Sequence, residues 1–221
     1  MIHLLKKELL IQKKSFLFLF VYGIFMFIVF SDPSFGGVVY IMGMIVVIYF
    51  FLITANMEEE KNKSEIILNS LPLPRNRLVL AKYFSVLVYI FIGATFLGLL
   101  GLLFQLPVIP ITPKLISLAD LLAAFLAISI YVSIYLPLYF RFGSAALRLF
   151  SILFFLFFFF IPRYLAELYL VYKETEKVRF LQSFFVEGPL LIPVIVIIAF
   201  ALLLLAVSYL LSRKIYLQRE F

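Results

Sequence analysis

Glu58, Glu59 and Glu60 stand in a row, with Lys61 and Lys63 directly after them. Glu58-Glu59 followed by Lys63 has the paired-glutamate pattern used by membrane-embedded prenyl-protein proteases, which also need intramembrane histidines. The single histidine is His3, at the N-terminal end. That chemistry is therefore excluded, and the acidic run reads as a solvated helix end that pairs with Lys61 and Lys63. The chain has no cysteine, so disulfides and thiolate metal sites are excluded as well. One histidine also removes most metal sites and most nucleophile–base pairs. No G-x-x-x-x-G-K-[ST] phosphate loop occurs, so the chain does not bind and hydrolyse ATP by that route. Neither H-E-x-x-H nor G-x-S-x-G is present. The sequence thus offers no catalytic residues and no metal site.

Composition says what must position the polar groups that remain. Of 221 residues, 65% are apolar and 14% charged, with a mean hydropathy of +1.16. A soluble domain of this size needs far more polar surface. A helix that crosses a bilayer needs about 20 mostly apolar residues. Six stretches supply them: Phe16–Phe30, Val38–Ala55, Tyr83–Phe104, Leu118–Phe140, Leu147–Leu168 and Pro189–Leu211. Ser31-Asp32-Pro33 is no small-x-small cleavage site, and a second apolar run follows at once. The first stretch therefore reads as an uncleaved span rather than a signal peptide. The expected fold class is an all-α integral membrane protein, one transmembrane domain over residues 1–221.

A formal charge of +7 could suggest nucleic acid, but its distribution follows membrane topology. With the N-terminus in the cytoplasm, the inner segments hold fourteen basic and six acidic residues, a net of +8. The outer segments hold five and six, a net of −1. Both termini are expected to be cytoplasmic in a multi-pass protein of the cell membrane. The basic side is expected to attract anionic lipid headgroups, and no nucleic-acid partner is implied.

Ionisable groups lie near span ends rather than at mid-membrane, where ion-coupled transporters place them. Ser117 and Asp120 have capping-box spacing and are expected to start the fourth span. Arg163 and Glu167, four apart, read as an interfacial ion pair or as the rim of an exit path. Ser129 and Ser133, with Tyr131, Tyr135 and Tyr139, form two nearby stripes on the fourth span, interrupted by Pro137. They are a possible substrate path for an amphipathic molecule, or ordinary hydrogen bonds between helices. Ala94, Gly98 and Gly101 on the third span, and Ala123 and Ala127 on the fourth, are small residues that let helices or subunits approach closely.

Three segments outside the spans carry pattern. Residues 1–15 read as a basic interfacial helix, with Ile2, Leu5, Leu9 and Phe16 on one face and Lys6-Lys7 stacked with Lys13-Lys14. Residues 171–188, VYKETEKVRFLQSFFVEG, mix charge with Phe180, Leu181, Phe184 and Phe185 and read as an outer loop with an interfacial helix. The inner loop, residues 57–82, is MEEEKNKSEIILNSLPLPRNRLVLAK. Asn62 or Ser64 can cap a helix there, and Asn62 with Glu65 has capping-box spacing. Glu65-Ile66-Ile67-Leu68-Asn69-Ser70-Leu71 then makes about two turns, which Pro72 and Pro74 stop. Its apolar edge, Ile67, Leu68 and Leu71, should dock on the membrane or on a partner protein.

This order resembles the permease subunits of ABC-2 type exporters over nearly the whole chain: a basic N-terminal helix, two spans, the loop NKSEIILNSLPLPRNRLVLAKY, four more spans and a basic tail. Asn69-Ser70-Leu71-Pro72 with Arg75 and Lys82-Tyr83 carries most of the likeness. Within that family the chain looks closest to small Firmicute peptide exporters, of the phenol-soluble modulin or bacitracin-immunity kind. The resemblance implies that Glu65–Leu71, with Pro72 after it, is the coupling helix that fits a groove on a separate cytoplasmic ABC ATPase. ATP and Mg would be bound by that ATPase, present in two copies, and no cofactor by this chain. A second permease subunit would complete a homodimer or heterodimer, and amphipathic peptides or lipophilic compounds would be exported. Two readings of other classes are an ion-coupled secondary transporter, which would work without an ATPase and fail with an ionophore, and a non-transporting scaffold or assembly factor, which would bind partners without stimulating an ATPase.

Overall fold

The computed structural model describes residues 2–30, 36–64, 74–106, 114–172, 175 and 191–218. They form six helices: α1 (Ile2–Ile11), α2 (Lys13–Val29), α3 (Val38–Lys61), α4 (Arg75–Phe104), α5 (Leu118–Tyr172) and α6 (Leu191–Leu217). No strand occurs among the described residues. Five helical segments are long and apolar enough to cross a bilayer, six if the bent pair α1–α2 counts as one. α2, α3, α4 and α6 are apolar nearly all round and carry little amphipathic signature, as expected where the solvent is lipid.

α5 is two spans joined without a loop. Gly143 interrupts it with φ 78° and ψ 176°, a region open essentially to glycine alone. Before Gly143 the helix ends beside Glu59, which Tyr139 meets. After Gly143 it runs back along α3: Phe155 lies 4.5 Å from Tyr49 between ring centroids, and Phe159 packs near Val39 and Met42. The turn expected between Phe140 and Leu147 is therefore a single glycine, with helix on both sides.

Contacts fix the alternation of the passes. At one end α2, α3 and α4 meet through Phe27, which lies 5.6 Å from Tyr40 and 5.3 Å from Phe104. Tyr40 also donates to the Lys114 carbonyl at 2.8 Å. At the same end Ser117 and Asp120 cap α5 reciprocally, Ser117 N–H donating to Asp120 at 2.9 Å and Asp120 N–H to Ser117 Oγ at 3.2 Å. The expected cap is thus present. At the opposite end lie Glu59, Lys82, Tyr139 and α1, with Tyr216 of α6 packed 5.3 Å from Phe140. We call this the charged end; the described parts of both chain termini lie there.

α3 is the central helix, with fifteen buried residues. Small residues let α4 approach it: a Cβ at Gly93 would stand 3.4 Å from Val47, and Gly101 lies directly against the Tyr40 hydroxyl. Ala94 packs on the core, whereas Ala123 is exposed. α4 and α6 are tied by Tyr83, whose hydroxyl meets Ser208 at 2.6 Å and Ser212 at 2.8 Å. α2, the second limb of α5 and α6 turn large apolar side chains outward, among them Leu17, Phe25, Leu153, Phe160, Ile195 and Leu210.

The helices flanking the inner loop run past the expected apolar spans. α3 runs on to Lys61 and α4 starts at Arg75, so the connection between them is 62–74 rather than 57–82. Asn62 closes α3, its N–H bonded to the Glu58 carbonyl, with Lys63 following at φ 48°. Its expected capping-box partner, Glu65, lies outside the described residues.

Candidate functional site

Four helices bring polar groups together at the charged end, each through its core-facing stripe. On α3, Leu52 is followed three and four residues on by Ala55 and Asn56, and these by Glu59 four and three residues on; all are buried on one face. On α4 the buried stripe is Leu78, Val79, Lys82, Val86 and Tyr89. On the first limb of α5 it includes Tyr131, Tyr135 and Tyr139. On α1, Glu8 is buried, with Leu4 half-buried one turn before it and Gln12 buried one turn after. The inward face of α1 is therefore built on Leu4, Glu8 and Gln12; of the expected apolar face, Leu5 and Leu9 are half-buried and Leu9 packs on the core. Phe16 belongs to α2, which is bent 59° away from α1, and is 41% exposed.

These stripes place two carboxylates and two ammonium groups in a ring. Lys7 pairs with Glu59, and Glu59 pairs with Lys82 at 2.5 Å. Lys82 pairs with Glu8 at 3.5 Å, and Glu8 with Lys7 at 3.7 Å. Each charge thus has two partners of opposite sign. Neutral groups complete the set. Lys82 donates to Asn56 at 2.8 Å, and Asn56 donates to the Tyr135 hydroxyl at 3.1 Å. The Tyr139 hydroxyl donates to Glu59 at 3.3 Å, and that of Tyr89 to Glu8 at 3.3 Å. Gln12 donates to the Phe51 carbonyl at 2.7 Å and to Tyr89 at 3.4 Å. The Lys82 ammonium also lies 5.3 Å above the Tyr139 ring.

Burial here is deep: Glu59 is 3% exposed, Glu8 4% and Lys82 7%. A charge so placed costs several kcal/mol unless paired, and a neutral quartet with further hydrogen bonds meets that condition. The acidic run is therefore not uniformly a solvated helix end. Glu60 is exposed, but Glu59 turns inward and pairs with Lys7 and Lys82, not with Lys61 and Lys63. The seam under α1 keeps a small cavity of about 30 Å³, bordered by Leu4, Lys7 and Glu8 on one side and by Glu59, Ala81 and Lys82 on the other.

The expected functional residues fall into three groups. Glu65, Ile66, Ile67, Leu68, Asn69, Ser70, Leu71 and Pro72 lie outside the described residues, as does most of the outer loop 171–188. Ser129, Tyr131 and Tyr135 are buried on the first limb of α5: Ser129 donates to its own helix at Phe125, and the rings of Tyr131 and Tyr135 stack at 5.5 Å. The Ser133 carbonyl accepts from Ser208 of α6 at 2.9 Å. Arg163 and Glu167 pair with each other at 2.7 Å on the exposed side of the second limb, away from that stripe. Lys7, Glu8, Gln12, Asn56, Lys82 and Tyr89 carried no expected functional role. For Asn56, Lys82 and Tyr89 the signal was register, since each is in step with a run of buried apolar residues; on α1, where no described apolar side chain is buried, Lys7, Glu8 and Gln12 had no such signal.

No curated protein and no solved structure matches the chain. A family model, described as ABC-2 family transporter protein, matches residues 3–217. That match takes in all six helices and the ring that joins four of them, and the chain belongs to the ABC-2 family of transporter proteins.

Proposed function

We propose that this chain is the permease half of an ATP-driven exporter whose ATPase is a separate cytoplasmic subunit. Family membership supports the transporter role. One observation supports drive from the charged end. The 62–74 connection leaves α3 just after Glu59 and enters α4 about two turns before Lys82, and these two residues are paired at 2.5 Å. A push on that connection would reach α1, α3, α4 and α5 through one set of ion pairs and hydrogen bonds. The net charge of +8 on the segments at this side supports a cytoplasmic charged end with both termini inside.

In this reading Glu65–Leu71 is the coupling helix, and two ATPase copies hold ATP and Mg. A second permease, identical or a sibling, completes the path. The cargo is an amphipathic peptide or a lipophilic compound, as in small Firmicute peptide exporters, and Ser129, Tyr131, Ser133, Tyr135, Arg163 and Glu167 are the candidates for its path. The test is purification from the native host: a Walker-containing ATPase should come with the chain and be stimulated by it. Leu71→Asp should abolish ATP-driven transport in vesicles while membrane insertion stays normal. Undiminished transport by that variant would sink the coupling assignment. ATP-independent transport stopped by an ionophore would replace the proposal with ion coupling.

A further inference from the structure

Among the described side chains of α1, Glu8 is the only buried one; Leu4, Leu5, Lys7, Leu9 and Ile11 are half-buried, and Leu4 and Leu9 pack on the core. The helix's most deeply buried contact is therefore polar. Its opposite side presents His3, Lys6 and Leu10 outward, a surface suited to a bilayer interface. It joins α2 at a 59° bend, where Gln12 is pinned to the Phe51 carbonyl of α3.

The ring has a property that an isolated buried pair lacks. Lys7 and Glu8 are both on α1 and pair with each other; Glu59 and Lys82 are on α3 and α4 and pair with each other. Of the ion pairs, only Lys7–Glu59 and Lys82–Glu8 cross the seam; the Tyr89 hydroxyl bond to Glu8 and the contact between the Glu8 and Glu59 carboxyls cross it with them. Separation along the seam thus leaves a neutral pair on each side and no orphan charge, so it avoids the largest cost of opening a buried ion cluster. The cavity lies on this same seam.

We propose that α1 is a detachable strap, hinged at Gln12 and clasped by the ring, which opens the α3–α4 end of the bundle when the ring divides into its two pairs. The strap does not depend on the exporter reading, and its test needs no ATPase. The chain has no cysteine, so Ala81→Cys, at a position 4% exposed beneath α1, reports opening through its rate of maleimide labelling in proteoliposomes. Lys7→Gln/Glu8→Gln removes both cross-seam pairs without adding repulsion and should raise that rate about tenfold. Lys7→Glu/Glu8→Lys sets like charges across the seam and should raise it further. Adding Glu59→Lys and Lys82→Glu to that swap should bring the rate back to the parent value. An unchanged rate in the Gln pair would overturn the strap, as would a folded fourfold swap that stays as open as the twofold one. If neither charge swap folds, the Gln pair alone decides.

Discussion

Lys82→Met offers the sharpest test of the ring, because Lys82 touches more of it than any other side chain. The substitution removes the pairs to Glu59 at 2.5 Å and Glu8 at 3.5 Å and the bond to Asn56 at 2.8 Å. Lys7 is left facing two carboxylates. Removing one partner of a buried ion pair costs about 3–5 kcal/mol. The cost has a ceiling, because one carboxyl group can instead take up a proton. For a group that would ordinarily titrate near pH 4.3, that costs about 3.7 kcal/mol at about pH 7. A loss of about 3–4 kcal/mol corresponds to a drop of about 6–16 °C in midpoint for a chain of this length. The assay is loss of the monodisperse size-exclusion peak on heating in detergent. The sign with pH follows from the extra proton: the native variant binds one that its unfolded state lacks, so acid favours the native form. Its deficit against the parent should shrink between about pH 7 and about pH 5, by at most about 1.4 kcal/mol per pH unit because burial raises the Glu8 carboxyl in the parent as well. Glu59→Gln added to Lys82→Met leaves Lys7 and Glu8 as a neutral pair and should recover more than half the loss. A midpoint within about 2 °C of the parent would refute the reasoning. So would a deficit that pH leaves unchanged, or a double variant no better than the single one.

Gly143→Ala should lower the melting midpoint by a strain of about 1–3 kcal/mol, because φ 78° with ψ 176° is a glycine conformation and nothing stands within 4 Å to clash with the new methyl. Tyr83→Phe removes the hydroxyl that joins Ser208 and Ser212 and should cost about 0.6–1.7 kcal/mol, read by the same heating assay. Gly101→Ala should push the Tyr40 hydroxyl off the Lys114 carbonyl at a cost of about 1–3 kcal/mol, and Tyr40→Phe in the same chain should relieve most of it.

Apolar run length was enough to place the spans, because lipid allows only internally bonded helices and so turns length directly into architecture. The Ser117–Asp120 cap was equally legible, since the bond is local and its spacing is its geometry. The reversal between the fourth and fifth spans was legible from their two apolar runs, but not that Gly143 alone makes it, because the residues on both sides of it are helical. The inward turn of Glu59 was hidden for a different reason. Charge counting assigns a residue to a side of the membrane and is blind to which face of a helix it occupies. Three consecutive glutamates span most of a helical turn, so one of them had to lie near the stripe of Leu52, Ala55 and Asn56.

The level of the ring follows from the same counting and explains why α1 is needed at all. From Val38 to Ala55 there are 18 uncharged residues, and from Tyr83 to Phe104 there are 22. At about 1.5 Å per residue these runs are about 27 and 33 Å long, close to the roughly 30 Å hydrocarbon thickness. Glu59 and Lys82 therefore fall at the rim of the slab, where water and headgroups would solvate them if nothing lay above. α1 replaces that solvent with Lys7 and Glu8, groups of the same charge types that the interface would supply. A helix that substitutes for solvent can be exchanged with solvent at small net cost. Charges at the membrane rim can thus both set topology and hold a removable element in place.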